Sequence, residues 1–158
     1  MGREIERKFL VTSDAWRPLV TRKEVIRQGY LSSNAKATVR VRLLGSDRAV
    51  LTLKGATEGI SRAEFEYPIP VADAVELYAM AEPHTIGKVR HLVPFGGLTW
   101  EVDVFEGRHQ GLVVAEVELD HADQQVPLPP WVGREVSDDD RYFNASLSRA
   151  AAPPQLAP

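Results

Sequence analysis

Val39-Arg40-Val41-Arg42-Leu43 alternates apolar and basic residues without interruption. In an extended strand, side chains two residues apart face the same way, so Arg40 and Arg42 share one face and Val39, Val41 and Leu43 the other. The pattern recurs in both directions along the chain. Glu4, Glu6 and Lys8 oppose Ile5 and Phe9, Thr52 and Lys54 oppose Leu51 and Leu53, and Glu64 and Glu66 oppose Phe65 and Tyr67. Lys88 and Arg90 flank Val89, Glu101 and Asp103 alternate with Trp100, Val102 and Val104, and Glu116 and Glu118 alternate with Val117 and Leu119.

Six of these seven rows hold a like-charged pair at i, i+2. At about 7 Å and an effective dielectric of about 20, each pair repels by roughly 2 kcal/mol, against ~0.6 kcal/mol in bulk water. An open sheet with one solvated face accounts for any single row. It does not account for all of them, because a solvated face mixes in Ser, Thr, Asn and Gln, and these are nearly missing here. If the sheet closes with its charged face inward, rows of opposite sign compensate across the lumen. The apolar faces then point outward and are covered by helices or a partner subunit, the inverse of a small barrel with a dry interior.

The chain has 158 residues, with 19 Lys and Arg against 22 Asp and Glu and a formal charge of −3. That length suits one domain with a real core. The charge balance gives no overall attraction for nucleic acid or an anionic membrane. The lack of Cys excludes disulfides, thiolate metal sites and Cys nucleophiles. The opening residues have no apolar run of signal-peptide length and no later segment is long enough to span a bilayer, so a cytoplasmic protein is expected.

Period-2 alternation predicts strands near 3–11, 25–31, 37–45, 48–55, 61–69, 86–94, 98–106 and 113–120. Gly- and Ser-rich turns separate them. Residues 72–80, between Pro70 and Pro83, predict a helix of two to three turns that covers the barrel. A second helix is expected over 139–149 and a short helical piece over 13–19. Residues 1–150 read as one β-rich α+β domain and 151–158, with three prolines, as a disordered tail.

Lys8, Arg40, Arg42, Lys54, Lys88 and Arg90 form the basic part of the inferred lumen. Such side chains bind phosphate oxygens through charge-assisted hydrogen bonds. Glu4, Glu6, Glu64, Glu66, Glu101, Asp103, Glu116 and Glu118 form the acidic part. Clustered carboxylates without Cys or His describe a hard-cation site for Mg²⁺ or Mn²⁺. Together they point to a metal complex of a small polyanion. No Gly-rich phosphate loop or His–Ser pair occurs, which disfavours a P-loop or a covalent mechanism. His84, His91, His109 and His121 lack metal-ligand spacing and are expected on the surface or in loops.

Glu4-Ile5-Glu6-Arg7-Lys8 resembles the E-x-E-x-K signature of the CYTH superfamily, the triphosphate tunnel metalloenzymes. The resemblance continues through Val39 to Arg42, Leu53 to Gly55, Glu64 to Glu66, Lys88 to Arg90, Trp100 to Asp103, Glu116 to Glu118, Trp131 to Val136 and Arg141 to Asn144. It implies an eight-stranded antiparallel closed tunnel with a charged interior and a few helices packed outside. By matched position, the six basic residues would grip phosphate, and Glu4, Glu6, Glu116 and Glu118, with Asp103, would hold the metal. Glu64, Glu66 and Glu101 would stand beside it.

The implied reaction is metal-dependent hydrolysis of inorganic triphosphate to pyrophosphate and phosphate, by water attack on the terminal phosphoryl group. Lys8, Tyr30, Glu116 and Glu118 would be catalytic. Tyr30 falls where short bacterial members that prefer inorganic triphosphate carry a Tyr paired with the signature Lys. Class IV adenylate cyclases and thiamine triphosphatases share the signature, so ATP cyclisation and hydrolysis of thiamine or nucleoside triphosphates are alternatives. A non-catalytic polyphosphate-binding module is another. Trp16 and Trp131 are expected to pack rather than to stack on a base. A monomer or a homodimer is expected.

Overall fold

The computed structural model describes residues 2–154. The alternating segments form eight strands, and a ninth joins them: β1 (Arg3–Val11), β2 (Arg22–Ser33), β3 (Ala37–Leu44), β4 (Arg48–Gly55), β5 (Ser61–Pro68), β6 (Thr85–Phe95), β7 (Leu98–Phe105), β8 (Val113–Glu118) and β9 (Val132–Glu135). They hydrogen-bond in the order β5-β4-β3-β2-β6-β7-β8-β1-β9, and β5 also pairs with β1, which closes eight of them into an antiparallel barrel. β1 makes the closure with its two halves. Arg3, Glu4 and Ile5 pair with Ala63, Arg62 and Ser61 of β5, while Glu6 to Leu10 pair with Glu118 to Val114 of β8.

β9 takes the edge of β1 that β5 leaves unpaired, with Phe9 opposite Glu135 and Val11 opposite Val132. Nothing in the alternation of residues 132–135 predicts this strand, since Arg134 and Glu135 are adjacent and polar. Its pairing with β1 creates it. The expected helix at 139–149 is two pieces, a 3₁₀ turn at Asp140–Tyr142 and α2 (Asn144–Arg149), because Phe143 is extended between them. The break lets Tyr142 bury completely and leaves Asn144 at the start of α2. The piece expected at 13–19 shrinks to a 3₁₀ turn at Arg17–Leu19. Residues 151–154 form bends without regular structure, and the rest of the expected tail, 155–158, lies outside the described residues.

The apolar faces point outward, as the sequence predicts, and two covers shield most of them, while Leu53, Phe65 and Tyr67 on the outer face of β4 and β5 stay exposed. α1 (Val71–Ala81) lies over β2, β3 and β4, with Ala74 packed among Val41, Leu43 and Ala49. It approaches β2 so closely that a Cβ on Gly29 would stand 2.6 Å from the Ala81 Cβ. On the other side Phe9, Trp100, Val102, Ala115 and Val117 pack with Trp16 and Trp131 from the connecting segments. Each such fully buried large side chain contributes about 2–3 kcal/mol. Both tryptophans pack, as expected. His109 differs from expectation: it is buried, with Nε2 2.6 Å from the Leu147 carbonyl, and it anchors α2.

The bore is not polar throughout. Tyr30, Ile86, Phe105 and Val114 continue the inward-facing rows and pack with Leu112, Val136, Tyr142 and Leu147 into a dry plug. The charged rows are thereby confined to one stretch of the barrel.

Candidate active site

Strand parity brings the predicted charges into one bore. Glu4, Glu6, Lys8, Tyr30, Arg40, Lys54 and Asn144 line a cavity of about 450 Å³ between the 33–38 and 55–60 turns and α2. It continues into a chamber of about 180 Å³ lined by Glu4, Glu6, Arg40, Arg42, Lys54, Glu64, Glu66, Arg90, Glu101, Glu116 and Glu118. Lys88 and Asp103, which sequence reasoning assigned to substrate and metal, line neither. They are buried behind the wall.

Compensation occurs chiefly between near neighbours rather than across the lumen. Asp103 accepts from Arg90 Nε and a terminal guanidinium nitrogen at 2.9 Å each, and Lys88 Nζ stands 2.7 Å from its second oxygen. Arg90 also reaches Glu101 at 3.2 Å. Lys8 pairs with Glu116 at 3.4 Å and donates to the Tyr142 carbonyl at 3.1 Å. Lys54 donates to both oxygens of Glu4, at 2.8 and 3.1 Å, and lies 3.4 Å from Glu64.

Five charged members form no ion pair among the described residues: Arg40, Arg42, Glu6, Glu66 and Glu118. Arg40 touches only Thr52 Oγ1, at 3.3 Å, and its buried Nε has no partner. Arg42 donates to Gln28 Oε1 at 2.8 Å. In the ring order β3 stands diametrically across from β8. Unpaired guanidiniums on one wall therefore face carboxylates on the other.

The titration behaviour follows from this crowding. Burial, then Glu116 and Glu4, push the Glu6 carboxyl up to about 8. Burial and Glu4 raise Glu64 to about 7. Glu116 is held well below the usual range because Lys8, Arg90 and Lys88 overcome its burial. Burial lowers Lys88 to about 7 despite Asp103, and burial with Arg40 and Arg90 lowers Arg42 to about 10. Asp103 stays ionised because Arg90 and Lys88 outweigh its burial.

Sequence reasoning missed Gln28 and Asn144 as members of the site. The buried Gln28 amide accepts from Arg42, while its nitrogen lies 3.0 Å from the Tyr30 hydroxyl and 3.3 Å from Asn144 Oδ1. Asn144 Oδ1 also accepts from Lys88 at 3.0 Å. Row parity could have found Gln28, two residues from Tyr30 on the same face. The Tyr30 hydroxyl hydrogen-bonds to Gln28 rather than Lys8, although both Tyr30 and Lys8 line the larger cavity.

The donor set fits a hard cation in its chemistry: carboxylates of Glu4, Glu6, Glu116 and Glu118, no sulfur or imidazole, and a Glu6 carboxyl raised by burial and by its neighbours Glu116 and Glu4. The cage is not preformed, since no group of three metal-ligating side chains converges among the described residues. Glu4 is occupied by Lys54 and Glu116 by Lys8.

Residues 2–149 match the model of the CYTH domain family. The chain belongs to this family. A relative from Acetivibrio thermocellus, named inorganic triphosphatase, is 45% identical over 148 residues, covering 93% of this chain and 94% of the relative. An inorganic triphosphatase from Nitrosomonas europaea is 38% identical over 151 residues, covering 92% and 96%. The crystal structure of the inorganic triphosphatase NE1496 superposes with a TM-score of 0.66 at 34% identity, over 93% of this chain and 95% of that one.

Proposed function

We propose that this CYTH protein hydrolyses inorganic triphosphate to pyrophosphate and phosphate within the bore. The observation that carries the reading is the unpaired Arg40–Arg42 row facing the Glu6 and Glu118 carboxylates across one chamber. Buried guanidiniums without carboxylate partners await an anion, and clustered carboxylates sharing too few counter-charges await a cation. The named relatives support the same activity.

Arg40, Arg42, Lys54 and Arg90 bind the phosphate oxygens and fix the chain along the bore, which is most of what phosphoryl transfer requires of a protein. Mg²⁺ or Mn²⁺, held by Glu4, Glu6, Glu116 and Glu118, would neutralise charge and supply an acidified water. Lys8, anchored by Glu116 and the Tyr142 carbonyl, stands where it can contact the terminal phosphoryl group, with Tyr30 walling the same cavity. Water oxygen bonds to the terminal phosphorus, the anhydride bond breaks, and Arg40 and Arg42 stabilise the leaving pyrophosphate. We assign Asp103 to holding Arg90 and Lys88 rather than to the metal, because both its oxygens accept from those cations. Glu64, Glu66 and Glu101 border the chamber beside the metal set.

An inorganic substrate is favoured over a nucleotide or thiamine ester because Trp16 and Trp131 are buried in the outer core, away from the bore. A cytoplasmic setting and a monomer or homodimer belong to the same reading. No described helix is long and apolar enough to cross a membrane. Assay of phosphate, pyrophosphate and cyclic nucleotide across triphosphate, ATP and thiamine triphosphate tests the substrate. Turnover fastest on inorganic triphosphate is expected, and cyclic AMP as the main product would overturn the reading.

A further inference from the structure

The bore has a second mouth that the proposed hydrolysis leaves unused. A chamber of about 280 Å³ opens between the starts of β2 and β4 and the end of β3. It joins the catalytic chamber through Arg42, Arg90 and Glu101, which line both. Its charge is opposite in kind. The catalytic chamber sets four cations against seven carboxylates. The far mouth sets Arg22, Arg42, Arg48 and Arg90 against only Glu24 and Glu101; Lys23 at its rim pairs with His91 on the outer face.

Both of those carboxylates are already engaged. Glu24 is bound by Arg48 and lies 3.8 Å from Arg22, and Glu101 is bound by Arg90. Arg42 has no carboxylate partner among the described residues. A cation-rich pocket without a spare carboxylate has no means of holding Mg²⁺ or Mn²⁺, yet it offers several charge-assisted donors to an oxyanion.

We propose that this far mouth is a second oxyanion site that takes a phosphoryl group without a divalent metal. Its identity as phosphoryl rests on the triphosphatase reading; its sign and metal independence rest on the lining alone. The group belongs either to a free product, phosphate or pyrophosphate, or to the trailing unit of a chain longer than triphosphate. Either way the mouth lies in line with the bore, so it receives what the catalytic chamber passes along.

The test uses the full chain and the Arg22→Ala/Arg48→Ala double variant, with Arg22→Lys/Arg48→Lys as the charge-conserving control. Inorganic pyrophosphate is titrated calorimetrically in excess chelator. Saturable binding to the wild type, weakened about tenfold in the Ala pair and largely kept in the Lys pair, is expected. Triphosphate hydrolysis with metal should stay within about twofold in both variants. A matching drop of about fivefold in kcat/KM for tetraphosphate relative to triphosphate assigns the site to longer chains, and an unchanged ratio assigns it to free product. Metal-free binding that is lost in Arg40→Ala but untouched in the Ala pair, or no metal-free binding at all, overturns the proposal. Failure of the wild type to hydrolyse triphosphate would refute the enzymatic reading instead, leaving the pyrophosphate titration interpretable.

Discussion

Lys88 Nζ stands 2.7 Å from Asp103 Oδ2, with both side chains shut off from solvent. Asp103 simultaneously clamps the Arg90 guanidinium through both oxygens. One carboxylate thus fixes two cations; Arg90 also reaches Glu101 at 3.2 Å, whereas Lys88 has no second ion-pair partner among the described residues.

Asp103→Asn keeps the shape but leaves two buried cations facing a neutral amide. Removing one partner from such a network costs about 3–5 kcal/mol. Urea denaturation of the metal-free protein should show a loss of that order, and an unchanged midpoint would contradict the assigned role.

Arg40 presents the opposite case. It is buried with no anionic partner, so Arg40→Ala should leave metal-free stability unchanged or slightly higher. Activity should move the other way, with kcat/KM for triphosphate down about 10- to 100-fold, the usual weight of one or two hydrogen bonds to a charged group. Parallel denaturation and steady-state kinetics check both directions, and loss of stability without loss of activity would sink the assignment.

The raised carboxyls make metal binding pH-dependent. Glu6 titrates at about 8 and Glu64 at about 7 in the folded chain, both above their unfolded value of 4.5. The folded state therefore holds protons that the unfolded state has released, so these groups contribute stability that falls as pH rises, from about 5 through 7 for Glu64 and through 8 for Glu6. Above pH 7, Lys88 acts in the other direction, since its folded value of about 7 lies below the unfolded 10.5. A cation must displace the Glu6 proton, so Mg²⁺ affinity should rise about tenfold per pH unit from pH 6 to 8. Calorimetry at several pH values measures this slope, and a flat profile would remove Glu6 from the ligand set.

The charged rows were legible because period-2 alternation assigns a face to every residue of a strand, whichever strand pairs with it. Ring order was not legible, and it determines that Lys54 compensates Glu4 while Arg40 is left unpaired. β9 escaped notice because residues 132–135 do not alternate and owe their strand form to β1. The interruption at Phe143 was equally hidden, since the acidic run before it reads as an ordinary helix start. Gln28 and Asn144 carry no charge to mark them; only packing shows their amides tying Arg42, Tyr30 and Lys88 together. Type and parity do not separate a carboxylate that holds metal from one that holds arginine, so the pairing of Asp103 with Arg90 and Lys88 was not legible either.

Phosphate release from inorganic triphosphate, with and without chelator, in the wild type and Glu118→Gln, is the most direct measurement. The expected result is one phosphate and one pyrophosphate per triphosphate with Mg²⁺ or Mn²⁺, none in excess chelator, and a rate about 100-fold lower in Glu118→Gln at unchanged melting temperature. Full turnover in chelator, or a Glu118→Gln variant as fast as the wild type, would contradict a metal-dependent reaction inside the barrel.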